Sequence, residues 1–331
     1  MARMDRWLAV TLACALGCEP TPLYSPIQQP RGGSAVEVPV PLTQGDPAGF
    51  GKLDDRLIDW VFDGGQLEFE LYRRGNRIWQ IARNRFATPI VIRWSLNGLD
   101  NLVPLGHTEG VAFLPAAPVP YGIGQNVVLG ELEHVDPNRR YSRSLSFRAR
   151  WGDPRVEPSD YVYRLPFGSG QTFTVLQGFH GNFSHRGSNE FAVDFDCPVA
   201  TQVLAARPGV VVAANAAAQG SGTTPEFLDY KRTNFVLIQH DDGTLGEYMH
   251  LSPSGIEVKP GQRVERGTPL ALSGNTGFSS TPHLHFHVMT AGDDGMTARS
   301  FPFRLAAAAT RVEEPVQGRR YSSWEAAPPV R

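Results

Sequence analysis

The apolar residues of this chain fall in short runs, each cut off by glycine, proline or a polar turn. GQLEFELYRRG, RIWQIARNR, PIVIRWSLNG and YSRSLSFRARWG lie in the first half. FAVDFDCPV, QVLAARPGVVVAA, NFVLIQHDDG, GEYMHL and TPLALSG follow in the second. Runs of this length between turn residues suit β-strands. No sustained helical heptad or tandem repeat interrupts them, and 34 glycines with 27 prolines favour a strand- and loop-rich chain. The expected fold class is therefore mainly β.

The length of 331 residues accommodates two ordinary domains. Residues 19–65, rich in Pro, Gly and Gln, read as a tether. Residues 66–152 read as a small antiparallel β-sandwich-like accessory domain, because their strands recur at regular spacing. DPRVEPSD then reads as a linker, 153–305 as a second β-rich domain, and 306–331 as a flexible tail of low complexity. Net charge is −2 and the pI about 6.5, so no broad basic field marks a nucleic-acid partner.

At the N-terminus, Arg3 and Arg6 precede an apolar stretch, Trp7–Leu16, too short to span a bilayer. Residues 1–18 read as a secretory signal. Ala15-Leu16-Gly17-Cys18 resembles a bacterial lipoprotein box, although alanine stands where leucine is usual. The resemblance implies a lipid anchor on Cys18 and a periplasmic or outer-membrane lipoprotein; without lipidation, the segment implies secretion. Glu19 is not the aspartate of the familiar inner-membrane retention signal. Cys197 is then the one cysteine of the mature body, so no internal disulfide is available and a buried thiol is expected.

Seven of the nine histidines lie beyond residue 179. In TPHLHFHV, residues 281–288, His283, His285 and His287 occupy alternate positions. On a strand they share one face, with Leu284 and Phe286 on the other. A row of imidazoles on an otherwise apolar strand points to metal binding or catalysis, zinc being a common partner of neutral imidazole. FSHRGSNEFAVDF and GEYMHLS add His185, Asp194 and His250. His107, His134 and His240 read as structural or solvated, and His180 has no assigned task.

Taken together, FSHRGSNEFAVDF, RPGVVV, GEYMHLS, VKPGQRVERGTPLALSGNTG and TPHLHFHV resemble the lysostaphin-type zinc metallopeptidases, bacterial peptidoglycan endopeptidases. The resemblance covers roughly residues 160–305 and rests on several separated motifs in the family's order. It implies one zinc ion held by His185, Asp194 and His285, with His250 and His283 as the catalytic histidines. Two nitrogens and one carboxylate oxygen leave a fourth tetrahedral position for water, as catalytic zinc requires. One neighbouring histidine would take a proton and the other hydrogen-bond an oxyanion, and the sequence does not divide these tasks.

Eight residues separate His185 from Asp194, where many relatives have three, which keeps Asp196 as a fallback ligand. His287 stands where many relatives carry glutamate and reads as a partner behind the ligands or as exposed. Tyr248 reads as groove lining or as a packed strand residue. Gly274, Asn275 and Gly277 build the turn before the histidine strand.

The implied function is hydrolysis of peptide bonds in peptidoglycan stems or cross-links. The alternative is a non-catalytic envelope protein whose groove binds wall peptides or activates a separate murein amidase. The implied partners are peptidoglycan peptides, a membrane reached only through the N-terminal anchor, and an envelope partner of the accessory domain. A biotinyl or lipoyl carrier hairpin around Lys259 lacks the flanking residues such a lysine needs and leaves the histidines unexplained.

Overall fold

The computed structural model describes residues 50–325, and the signal and lipobox at 1–18 lie outside them. The described chain is almost entirely β, with three short 3-10 turns as its helical content. Strands Phe50–Phe62, Gly65–Arg74, Arg77–Asn84, Asn126–His134 and Leu102–Pro104 form one antiparallel sheet in that order. Glu109–Leu114, Ile90–Asp100 and Ser142–Trp151 form a second. In Ser142–Trp151 every second residue is buried, and the inward set Leu145, Phe147, Ala149 and Trp151 meets Leu67, Phe69 and Leu71 of the first sheet in one core. Phe69 and Phe147 bridge it with ring centroids 4.6 Å apart.

The remaining chain is built on a nine-stranded sheet. Its centre runs Gly209–Asn215, Phe235–Gln239, Leu245–Met249, Leu284–Ala291, Val193–Phe195 and Thr172–Gln177. Alternation assigns the two faces. Val193, Phe195, Val236, Ile238, Tyr248, Leu284, Phe286 and Val288 pack into one core. Phe235, Leu237, Leu245 and Met289 point the other way and join the core of the first two sheets. Asp194, Glu247, His285 and His287 lie on that second face, beside the docked sheets.

Three sequence expectations need correction. Residues 50–65 are not tether: Phe50–Phe62 pairs antiparallel with Gly65–Arg74. Register shifts at Lys52/Arg56 and Asp59/Phe62 break its alternation, which conceals it from a periodicity reading. The tail is not loose through 325: Arg304–Ala308 and Arg311–Glu313 pair with each other, and Arg320–Ser322 pairs with Thr172–Gln177. Its alanines read as low complexity, yet Leu305, Ala306 and Ala307 are buried, where small side chains permit close packing. Residues 326–331 lie outside the described part.

The third correction concerns independence. The accessory sheets share a core with the nine-stranded sheet. Trp151 packs on Tyr230 and Phe235, and Phe62 on Phe235. Asp63 exchanges two backbone hydrogen bonds with Ala214, at 3.0 and 2.9 Å. Gly64 makes this approach possible: it adopts φ +112°, and a Cβ there would lie 2.4 Å from the Val212 carbonyl oxygen.

Candidate metal centre

Strand pairing brings the candidate residues together. In the ladder, Asp194 stands opposite His285, which on its other side faces Met249. His185 arrives from the loop after Thr172–Gln177. Gln177 ties that loop to the Asp194 strand: its Oε1 accepts the Phe183 and Ser184 amides, and its Nε2 donates to Asp194 Oδ2 at 3.0 Å. Gln177 had no signal in the sequence, because its role depends on a residue 17 positions away.

His185, Asp194 and His285 are all buried, and one ligand atom from each lies within 4.8 Å of the others. His185 Nδ1 sits 2.8 Å from the Gly178 carbonyl oxygen. A carbonyl only accepts, so Nδ1 carries the proton and Nε2 presents a lone pair. That buried Nε2 has no hydrogen-bond partner, yet lies 3.1 Å from Asp194 Oδ1. His285 Nδ1 approaches the same oxygen at 2.8 Å. A lone pair facing a carboxylate in a dry site is costly, and a shared cation relieves it. Two imidazole nitrogens and a carboxylate oxygen are ordinary zinc donors, so these residues fit the ion.

The other two histidines flank this group. His283 Nε2 lies 3.7 Å from Asp194 Oδ1, and its Nδ1 sits 2.8 Å from the Thr281 carbonyl oxygen. His250 Nδ1 sits 2.7 Å from the Thr276 carbonyl oxygen. Both carbonyls select the Nδ1–H tautomer and leave Nε2 as an acceptor when neutral. The rings lie 4.5 Å apart. Burial, then the neighbouring His283 and His285, lowers His250 to about 3, so it is neutral near pH 7. His250 has φ +62°, a left-handed conformation rare outside glycine, held by the strands on either side of it. Gly277, also left-handed at φ +82°, could not carry a Cβ, which would lie 1.9 Å from Thr233 Oγ1.

Other residues fall elsewhere. Asp196 is exposed and outside the group. Tyr248 is buried, its hydroxyl accepting the Ala206 amide, so it is a packed strand residue. His287 is buried beside His285. His180 is exposed and faces Glu190, Cys197 is a free buried thiol, and His134 is buried against Arg73 and Asn101.

His240 is buried, with Nδ1 on the Pro208 carbonyl, and burial lowers it to about 4. Near neutral pH it is uncharged in both folded and unfolded chains. As pH falls from 6.5 to about 4 the unfolded chain gains a proton that the folded chain refuses. Stability should therefore drop through that window by roughly 1.4 kcal/mol per pH unit from this residue. Denaturant titrations at pH 7 and 5 should show a smaller loss for His240→Gln than for wild type; parallel losses would rule His240 out as the source.

The centre opens on a groove of about 1620 Å³. Phe183 and Phe278 line one side, stacked at 6.1 Å, and Phe183 is 66% exposed. Trp60, Arg148 and Arg150 of the accessory sheets line another.

Parts of the chain are similar to known proteins. Residues 188–296 match peptidase family M23. Over 122 residues, 37% of this chain, the sequence is 36% identical to the glycyl-glycine endopeptidase ALE-1 of Staphylococcus capitis, covering 30% of that protein. Over 99 residues, 30% of this chain, it is 37% identical to the peptidoglycan DD-endopeptidase ShyA of Vibrio cholerae, covering 20% of it. The chain thus spans less than a third of the length of these relatives. The solved catalytic domain of lysostaphin from Staphylococcus simulans is 28% identical, aligning with 39% of this chain and 87% of that domain at a TM-score of 0.28. Residues 188–296, about a third of the chain, are thus similar to the lysostaphin-type peptidases of family M23.

Proposed function

We propose that this protein is a zinc-dependent endopeptidase acting on peptide bonds in peptidoglycan stems or cross-links. The observation that carries the reading is the pair of buried imidazole nitrogens converging on Asp194 Oδ1, with His250 and His283 beside them. His185, Asp194 and His285 would hold the metal. A zinc ion bound there supplies Lewis-acid activation of water and of the scissile carbonyl. His283, whose Nε2 is 3.7 Å from Asp194 Oδ1, takes the proton from the attacking water and returns it to the leaving amine. His250, its Nδ1–H held by the Thr276 carbonyl, lies beside His283 with Nε2 free to accept a hydrogen bond from a group entering the site. The groove takes an extended peptide, with Phe183 and Phe278 as an apolar wall and the accessory sheets as the facing one. An N-terminal signal ending at Cys18 would deliver the protein to the envelope, where this substrate lies.

A soluble chain starting at Glu19, incubated with purified sacculi and zinc, tests this directly. Mass spectrometry should find new peptide fragments with wild type and none with His283→Ala. A zinc-loaded wild type that releases nothing would defeat the catalytic reading and favour wall-peptide binding.

A further inference from the structure

Behind His285 runs a row of polar groups that the reaction does not touch. His285 Nε2 lies 2.9 Å from His287 Nδ1, and His287 Nε2 lies 3.2 Å from Glu247 Oε2. Glu247 is fully buried, and in the strand ladder it stands directly opposite His287. Its Oε2 also accepts the Tyr230 hydroxyl at 3.3 Å, while Oε1 has no hydrogen-bond partner. A buried carboxylate in an apolar sheet is costly unless something compensates it. No arginine or lysine forms an ion pair with it among the described residues, where its ion pair is with His287.

The direction of the row follows from donor chemistry. An ionised carboxylate only accepts, so His287 Nε2 carries a proton. A neutral His287 then presents a lone pair at Nδ1, and His285 must donate to it from Nε2. His285 is thereby left with its lone pair on Nδ1, the atom 2.8 Å from Asp194 Oδ1. This is the nitrogen aimed into the metal group. Reversing the row would place a lone pair of His287 against the Glu247 carboxylate.

We propose that Glu247 and His287 are positioning residues that act in series, holding His285 in the tautomer that presents Nδ1 to the metal and so setting the affinity of the centre. The proposal rests on the zinc reading above. Glu247 supplies the negative charge, His287 transmits it through its 3.2 Å ion-pair contact with Glu247 and its hydrogen bond with His285, and His285 becomes a better donor.

The test is zinc affinity of the apoprotein, measured by competition with a chromophoric chelator, alongside the melting temperature without metal. His287→Leu removes the hydrogen bond to His285 and the contact with Glu247 at similar bulk and should weaken zinc binding roughly 10–100-fold. His287→Gln keeps one acceptor and one donor and should stay near wild type. Glu247→Gln should weaken binding on the scale of His287→Leu, and the double variant should be no worse than the weaker single, because the two act in series. The metal-free melting temperature of His287→Leu should fall because Glu247 loses its partner, so His287→Gln is the control: zinc affinity lost in the leucine variant and kept in the glutamine variant separates the relay from a general packing effect. Equal zinc affinity in wild type and His287→Leu would overturn the relay and leave the metal reading standing. A wild type that binds no zinc would overturn both. Should Glu247→Gln fail to fold, the leucine and glutamine variants at 287 decide the matter alone.

Discussion

His285→Ala is expected to lose zinc and activity together, whereas His283→Ala should keep zinc and lose roughly 100- to 10,000-fold in turnover. The contrast follows from position. His285 offers one of three candidate ligand atoms clustered within 4.8 Å, and its removal would leave only His185 and Asp194 as donors in that group. His283 stands just outside, with Nδ1 committed to the Thr281 carbonyl and Nε2 available for a proton. Alanine there removes the acceptor and leaves the ligand triad intact. Metal content by mass spectrometry and turnover on a defined wall peptide separate the two effects. Equal zinc loss in both variants would contradict this division of roles.

Trp151→Ala should destabilise the whole described fold by roughly 3–5 kcal/mol, the usual range for emptying a buried aromatic site. Trp151 is buried where the sheets meet, its ring centroid 4.1 Å from Trp60, 5.3 Å from Tyr230 and 5.5 Å from Phe235. Its loss opens a cavity bordered by both halves of the chain. A single denaturation transition that shifts as a unit is therefore expected. For the same reason, a fragment starting at residue 153 would bare Val212, Phe235, Leu237, Leu245 and Met289 to water and should aggregate. Two separate transitions, or a soluble and stable fragment, would restore the picture of independent domains.

The strand segments around the site were legible because their cues are local. TPHLHFHV, GEYMHL and FAVDF show alternation within a few residues, and the backbone geometry of a strand converts that into faces. The stretch at 50–62 was not legible, since its bulges break the period. Nor was the alanine-rich segment at 304–308, whose burial depends on neighbours rather than composition. The linker at 153–160 was visible, but not that the sheets before it dock on the face carrying the site.

By itself the sequence determined a mainly β chain, a strand with imidazoles on one side, and the residue types that a zinc centre needs. These follow from side-chain chemistry and a two-residue repeat, both read along the chain. Tertiary structure alone decided that Asp194 lies across from His285, that Glu247 lies across from His287, and that Gln177 joins two ligand segments. It also decided that the accessory sheets wall the groove. Such relations depend on which strands pair and in what register, and a shift of one residue would turn every one of these side chains to the opposite face.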